Sequence, residues 1–214
     1  MLNDLNSQKA LIFRITHRDN LPWILDHGLH CGNSNTVDPN FVQIGNADLI
    51  SKRRTRQMNC AHGGTLSDYV PFYFTPLSPM FLNIHTGWNG IQQRTNEEIV
   101  ILYSSLRALK KQGIPFVFTD RHAYLETAQP PFSDLAHLDK LDWEILQRRD
   151  FKTDHEYPEK RERYEAEALV HKHLPIKSLL GIACCNHIAA SNLKPHVTRR
   201  NLNIEVTINT NWYF

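Results

Sequence analysis

The sequence predicts an α+β fold organised around a mostly antiparallel, split sheet. Three observations predict it. Short runs of alternating or near-continuous apolar residues recur from one end of the chain to the other. The tally is about seven short strands against three or four helices, without strict alternation of the two. No repeat, low-complexity tract or Pro/Gly/Ser-rich linker interrupts the 214 residues, a length that suits one substantial domain, 1–214.

The elements follow in order. "LIFRIT" (11–16) alternates as a half-buried strand does. "DNLPWILDHGL" (19–29) reads as a helix, with Asn20 as its cap, Pro22 in its first turn and Gly28 ending it. A second helix is expected through "NADLISKRRTRQM" (46–58). "DYVPFYFTP" (68–76) is aromatic and β-rich, and Pro71, which lacks an N–H, asks for an edge or a strand start. "EEIVILYSS" (97–105) is a buried strand, 105–113 a short helix closed by Gly113, and "IPFVFTD" (114–120) another strand. The stretch 121–163 is the least regular, with helical spacing at Leu138, Leu141 and Ile145 inside 132–151. Runs at 167–176, 178–186 and 201–214 supply the last strands. In the final one Leu202, Ile204, Val206 and Ile208 alternate with polar residues.

Composition excludes several classes. The content is 41% hydrophobic and 21% charged, ordinary for a soluble globular protein. No run approaches the roughly 20 apolar residues of a membrane helix. The N-terminal segment has neither a basic region nor a long apolar one, so a secretory signal is not expected. The four cysteines form no CxxC, which argues against a zinc knuckle or a disulfide framework and for a reducing cytoplasm. Twelve histidines fall into no HExxH or comparable ligand pattern, so no metal is expected. There is no GxGxxG, hence no support for a Rossmann-type site. The net charge is only +2, yet positive charge concentrates in "KRRTR" (52–56), "QRRDFK" (147–152), "EKRER" (159–163) and "TRR" (198–200). Such runs serve as solvated faces or as phosphate contacts.

One residue carries the functional question. In "RYEAEALVH" the strand pattern places Glu165, Glu167, Leu169 and His171 on one face and the alanines on the other. A carboxylate carried into a sheet costs several kcal/mol unless something pairs with it. It is either a surface glutamate on an edge strand or a working group at the mouth of a cleft.

The segments "IFRITHRDNLPWILDHGL", "KRRTRQ", "GGTLSDYVPFYFTPLSPMF", "FTDRHA" and "RYEAEALV", in this order, resemble the DarT family of NAD-dependent DNA ADP-ribosyltransferases, toxins of bacterial toxin–antitoxin pairs. The resemblance spans nearly the whole chain, and the long aromatic segment is its most specific part. It implies an ADP-ribosyltransferase-like split β-sandwich with flanking helices, NAD+ consumed as a substrate, no metal and Glu167 as the catalytic carboxylate. It implies an essential arginine among Arg53, Arg54 and Arg56, of which Arg54 is selected here, for the NAD pyrophosphate or the acceptor base. Thr16, His17 and Asn20 are expected on the nicotinamide side of the pocket, Gly28 and Leu29 on the adenosine side, and Tyr73 on the second wall. His122, Trp143, Arg148 and Arg149 are expected to meet DNA, within a substrate-recognition insertion at about 121–163. Trp143 reads equally well as a core anchor. The family pattern often places a histidine two residues before Thr16, where this chain has Arg14. The expected partners are single-stranded DNA and a macrodomain antitoxin resembling DarG, with thymidine ahead of guanosine as acceptor. The alternatives are an RNA-directed transferase resembling the tRNA 2′-phosphotransferases and a non-catalytic single-strand-binding protein.

Overall fold

A computed structural model of the chain describes residues 2–125 and 130–214. β1 (Leu11–His17) leads through one 3₁₀ turn into α1 (Leu21–His27), followed by β2 (Leu29–His30) and α2 (Ala47–Arg53). Next come β3 (Tyr69–Tyr73), α3 (Pro79–Thr86), β4 (Ile99–Ser105), α4 (Leu106–Lys111) and β5 (Phe116–Phe118). The 121–163 stretch contributes α5 (Trp143–Arg148) and the start of α6 (Lys160–Tyr164). The chain closes with β6 (Glu167–His171), β7 (His173–Leu174), β8 (Gly181–Cys184), α7 (His187–Thr198) and β9 (Glu205–Ile208). Among the described residues no helix is long and apolar enough to cross a membrane.

Seven strands form a sheet in the order β5-β6-β3-β1-β4-β8-β9, antiparallel except for the β8–β9 pair. The expected α+β architecture is therefore present, and so is the split. β1 and β4 pair along seven consecutive positions, whereas β1 and β3 meet at one, Phe13 opposite Tyr73. Beyond that pair the two halves of the sheet diverge. Pro71 sits at the divergence, its carbonyl turned into the gap, where the Arg14 guanidinium donates to it at 2.9 Å. In a strand the N–H and C=O of one residue point to the same edge, so the donor that proline lacks falls where there is no ladder. The edge that Pro71 called for lies inside the molecule.

The half-sheet β5-β6-β3 is covered on both faces. Ala168 and Val170 join the main core with Phe72, Phe74 and Phe118, while Leu169, Tyr69 and Val117 form a smaller cluster with Leu66 on the opposite face. β6 is thus interior, and Glu167 is 1% exposed. The edge-strand reading of this glutamate is set aside.

Several elements differ from the sequence expectations. The helix expected over 46–58 is confined to α2, which begins at the Asn46 cap and buries no residue, so little packing extends it. The 132–151 helix is two pieces, a 3₁₀ segment (Leu135–Lys140) and α5. Asp142 starts the second piece by accepting the Ile145 N–H, and Arg149 ends it at φ 59°. Leu138, Leu141 and Ile145 are buried as their spacing suggested. The last strand shrinks to β9, a short edge strand; Ile204, just before it, is buried, but Ile208 at its end is exposed. Run 167–176 is broken by Lys172 at φ 63°, so His171 and His173 lie on separate strands, stacked on His62 and His30. α3, α6 and α7 are helices the sequence reading did not mark.

Candidate active site

The divergence of β1 from β3 opens a cleft with two lobes. The larger, about 340 Å³, lies between α1, the start of β2 and β3, and includes Trp23, Gly28, Leu29 and Ser67 in its wall. The smaller, about 140 Å³, reaches Tyr73, Met80 and Glu167. Arg14, Thr16, Phe41, Gln43 and Arg53 line both lobes, so the two form one elongated hollow.

Glu167 is held at the inner end. Arg53 Nη1 lies 2.9 Å from Glu167 Oε2 and donates to Oε1 at 3.2 Å. The backbone N–H of Ala123 donates to Oε1 at 3.0 Å, and His122 Nδ1 is 3.7 Å from the same oxygen. Burial pushes the Glu167 carboxyl up, but Arg53, His122 and the Ala123 N–H together outweigh it and hold the group below the usual carboxylate range. The cleft therefore contains a buried, ionised, oriented carboxylate.

The arginine that meets it is Arg53, not Arg54. α2 is short, and its last residue turns inward while Arg54, one position on, caps the helix and lines the larger lobe. Arg53 Nη2 is buried and without a hydrogen-bond partner among the described residues, as is Arg14 Nε. Both side chains line the hollow, and each keeps a donor that no described residue uses. Burial beside Arg53 lowers the Arg14 guanidinium to about 10. Tyr73 pairs in register with Glu167; burial, then the charges of Glu167 and Glu165, push its phenol above its ordinary value. It is a neutral hydroxyl in the smaller lobe.

The other sequence-selected residues divide. Thr16 is 3% exposed and lines both lobes. His17, the next residue in the strand, does not join it: Nδ1 accepts the Asp19 N–H and Nε2 lies 3.5 Å from Glu98. Asn20 is fully buried, and its amide is spent on protein, donating to Thr16 Oγ1 and the Val42 carbonyl and accepting the Val42 N–H. It occupies the expected N-cap position without making a capping bond. Gly28, at φ 78°, lines the larger lobe, but the close approach it permits is to the chain itself. A Cβ there would stand 2.5 Å from the Leu174 carbonyl.

On the acceptor side, His122 lines a further cavity of about 370 Å³ with Tyr124, Arg161, Glu162 and Glu165. It is the one sequence-selected DNA residue that touches the carboxylate. Trp143 is an anchor rather than a platform: its Nε1–H donates to the Leu138 carbonyl at 2.7 Å and its ring meets Phe74 edge-on. Arg148 pairs with Glu144 on its own helix, and Arg149 donates to the Asn211 carbonyl. Sequence reasoning named Arg53 among three candidates but selected its neighbour, and it missed the Ala123 N–H and the loop carrying Phe41 and Gln43. It noted Arg14 only as a departure from pattern.

This geometry can be set beside known proteins. A family model described as DarT, ssDNA thymidine ADP-ribosyltransferase, matches residues 13–214. The chain belongs to the DarT family. A DNA ADP-ribosyl transferase of Escherichia coli O127:H6 is 53% identical over 210 residues, covering 98% of this chain and 96% of that one. The DarT of Thermus sp. 2.9 superposes in its complex with ADP-ribosylated ssDNA at a TM-score of 0.89, with 35% identity and 97% of both chains covered. In its NAD+ complex the TM-score is 0.84, with 34% identity over 97% of this chain and 98% of that one. A Thermosipho africanus DNA ADP-ribosyl transferase–DNA ADP-ribosyl glycohydrolase fusion protein is 24% identical over 193 residues, 89% of this chain and 46% of that one. The enzyme is an NAD-dependent DNA ADP-ribosyltransferase, and NAD+ is its substrate. Among the described residues no group of three or more His, Cys, Asp and Glu side chains is arranged to hold a metal.

Proposed function

We propose that the enzyme transfers ADP-ribose to thymidine in single-stranded DNA and is the toxin of a toxin–antitoxin pair. The reading rests on one observation. The ionised Glu167 carboxylate lies where the inner end of the two-lobed cleft meets His122, which lines the neighbouring cavity. A dinucleotide seated in the cleft with its nicotinamide ribose in the smaller lobe brings its reacting carbon between the carboxylate and the acceptor.

The chemistry follows from the residues. Transfer breaks the ribose–nicotinamide bond and forms a bond from the same carbon to the acceptor base, whose proton departs. Positive charge develops on the ribose as the bond loosens. A fixed carboxylate in a water-poor site stabilises that charge without reorganising, and it orients the sugar through a hydroxyl. Arg53 keeps Glu167 ionised and has Nη2 left for the dinucleotide. Thr16 and Tyr73 add hydroxyls to the walls, Leu29 and Gly28 shape the far lobe, and Arg54 faces that lobe with a second positive charge. His122 meets the acceptor nucleotide, and residues 121–163 select the DNA, with Arg148 and Arg149 offered to phosphates.

Thymidine is favoured over guanosine by the description of the family model. The toxin role and a macrodomain partner that removes the mark are supported by the fusion of transferase to glycohydrolase in the Thermosipho relative, and a cytoplasmic site of action goes with a substrate that is DNA. The test is to incubate the enzyme with NAD+ and four oligonucleotides, each lacking one base, and weigh the products. The oligonucleotide without thymine is expected to gain no ADP-ribose while the others do. Loss of the gain only on the guanine-free oligonucleotide overturns the thymidine assignment.

A further inference from the structure

Residues 31–46 join β2 to α2 without regular structure, and they form the outer wall of the cleft: Thr36, Val37 and Asp38 line the larger lobe, Ile44 and Gly45 the smaller, and Phe41 and Gln43 both. The wall is poorly attached. Phe41 bonds Asp38, Asn40 bonds Asp38 and Thr36 bonds Ser34, all within the loop. Among the described residues, the only hydrogen bonds tying 35–45 to residues outside this loop are two at Val42. Its N–H donates to Asn20 Oδ1 at 2.7 Å and its carbonyl accepts from Asn20 Nδ2 at 2.9 Å. Val37 and Phe41 are 66% and 49% exposed, so packing adds little hold at the loop's tip.

We infer that Asn20 is a positioning residue for NAD+: it latches the outer wall over the cleft and, by donating also to Thr16 Oγ1, fixes the hydroxyl that faces the ligand. The geometry explains why an amide is needed. Val42 presents a donor and an acceptor side by side, and of the common side chains only a carboxamide offers one of each in a plane at that spacing. The second Nδ2 hydrogen takes the Thr16 oxygen at 3.1 Å, which leaves the threonine's own proton to point into the hollow. One buried side chain, 0% exposed, thus couples loop, β1 and ligand. Freed of the latch, the loop must be ordered at the moment of binding, and apparent affinity falls by the fraction of time the wall is in place.

The inference rests on reading this cleft as the NAD+ site, so the experiment separates the two. Hydrogen exchange of the full-length enzyme with and without NAD+ tests the site, and protection is expected in 66–71, on the floor of the larger lobe. Two variants then test the latch. Asn20→Ala removes all three bonds, while Val42→Pro removes the N–H from the loop side and leaves the buried core untouched. Both are expected to raise KM for NAD+ about tenfold, to leave kcat within threefold, and to speed amide exchange across 35–45. Val42→Pro is expected to melt with the wild type. Protection at 66–71 with unchanged KM in Val42→Pro overturns the latch, whether or not the loop exchanges faster. A fall in kcat with KM unmoved also overturns it, since the residue then acts in the chemistry. No protection at 66–71 overturns the site assignment and the inference together.

Discussion

Two arginine–glutamate pairs show how differently the same chemistry behaves in two parts of this molecule. Arg53 and Glu167 come from elements 114 residues apart, with side chains 12% and 2% exposed. Arg148 and Glu144 are one turn apart on α5, 59% and 66% exposed. A surface pair of the second kind contributes about 0.3–0.5 kcal/mol and is screened by salt. The first is different in kind. Taking both charges out of water costs more than their attraction returns unless further bonds satisfy them, so such a pair is weak evidence of stabilisation and better evidence of a task. The Ala123 N–H satisfies part of Glu167, yet Arg53 Nη2 has no partner among the described residues. On the proposed function, the dinucleotide completes the pair.

The sharpest way to break this contrast is to remove the carboxylate. Glu167→Gln keeps the shape and an acceptor for Ala123 but leaves Arg53 charged and unpaired. Transfer to an oligonucleotide is expected to fall at least a hundredfold by product mass, the scale of losing one preorganised electrostatic group. Stability is expected to drop by about 3 kcal/mol in urea unfolding, the cost of breaking a buried pair from one side. Transfer within tenfold of wild type removes Glu167 from the chemistry. The neighbouring arginines come next. Arg53→Ala should lose both transfer and stability, whereas Arg54→Ala should melt as the wild type and show chiefly a raised KM for NAD+. If Arg54→Ala proves the more damaging for transfer, the ion pair does not mark the essential cation.

A pH series sharpens the comparison further. The folded Glu167 carboxyl lies below its ordinary value of 4.5, with burial opposed by Arg53, His122 and the Ala123 N–H. A depressed carboxyl stabilises the fold above its unfolded pKa, and that contribution is lost as pH falls through the folded value. The melting-temperature gap between wild type and Glu167→Gln should therefore be widest near pH 7 and begin to close only below about pH 4.5. Glu98 keeps its charge across this window, held at about 2 by the Thr95 N–H and, against burial, by Arg94 and His17. A gap that stays constant down to pH 3 means the ionised carboxylate is not what stabilises the site.

The same contrast explains what was legible in the sequence. The strand bearing Glu167 and the helix that opens the three-arginine run were both readable, because alternation and capping are local patterns. Which arginine faces the carboxylate was not, since adjacent helical residues point about 100° apart and α2 has no buried stripe to fix its register. Thr16 and His17 were both chosen for the pocket, although neighbours on a strand face opposite ways; only Thr16 does so. The Ala123 N–H leaves no trace in side-chain chemistry. The outer wall of the cleft has no periodicity at all, and Asn20 reads as a helix cap whether or not it caps. Trp143 had two readings of equal weight, and packing on Phe74 decides where its ring lies.

The smallest expected effect belongs to the exposed pair. Among the described residues Arg148 is held only by a carboxylate on its own helix, so exchanging that partner for a phosphate costs about what the surface pair is worth. Arg148→Glu should leave the melting temperature within a degree or two, because the lost pair is weak. Oligonucleotide affinity should fall, and the fall should shrink as salt rises, with the slope of log affinity against log salt reduced by about one, the signature of one phosphate contact. Arg149, whose guanidinium already donates to the Asn211 carbonyl, should show less of this when reversed. An unchanged salt slope for Arg148→Glu assigns that arginine to a solvated helix face. The recognition of DNA would then be sought nearer His122, where the buried pair already stands.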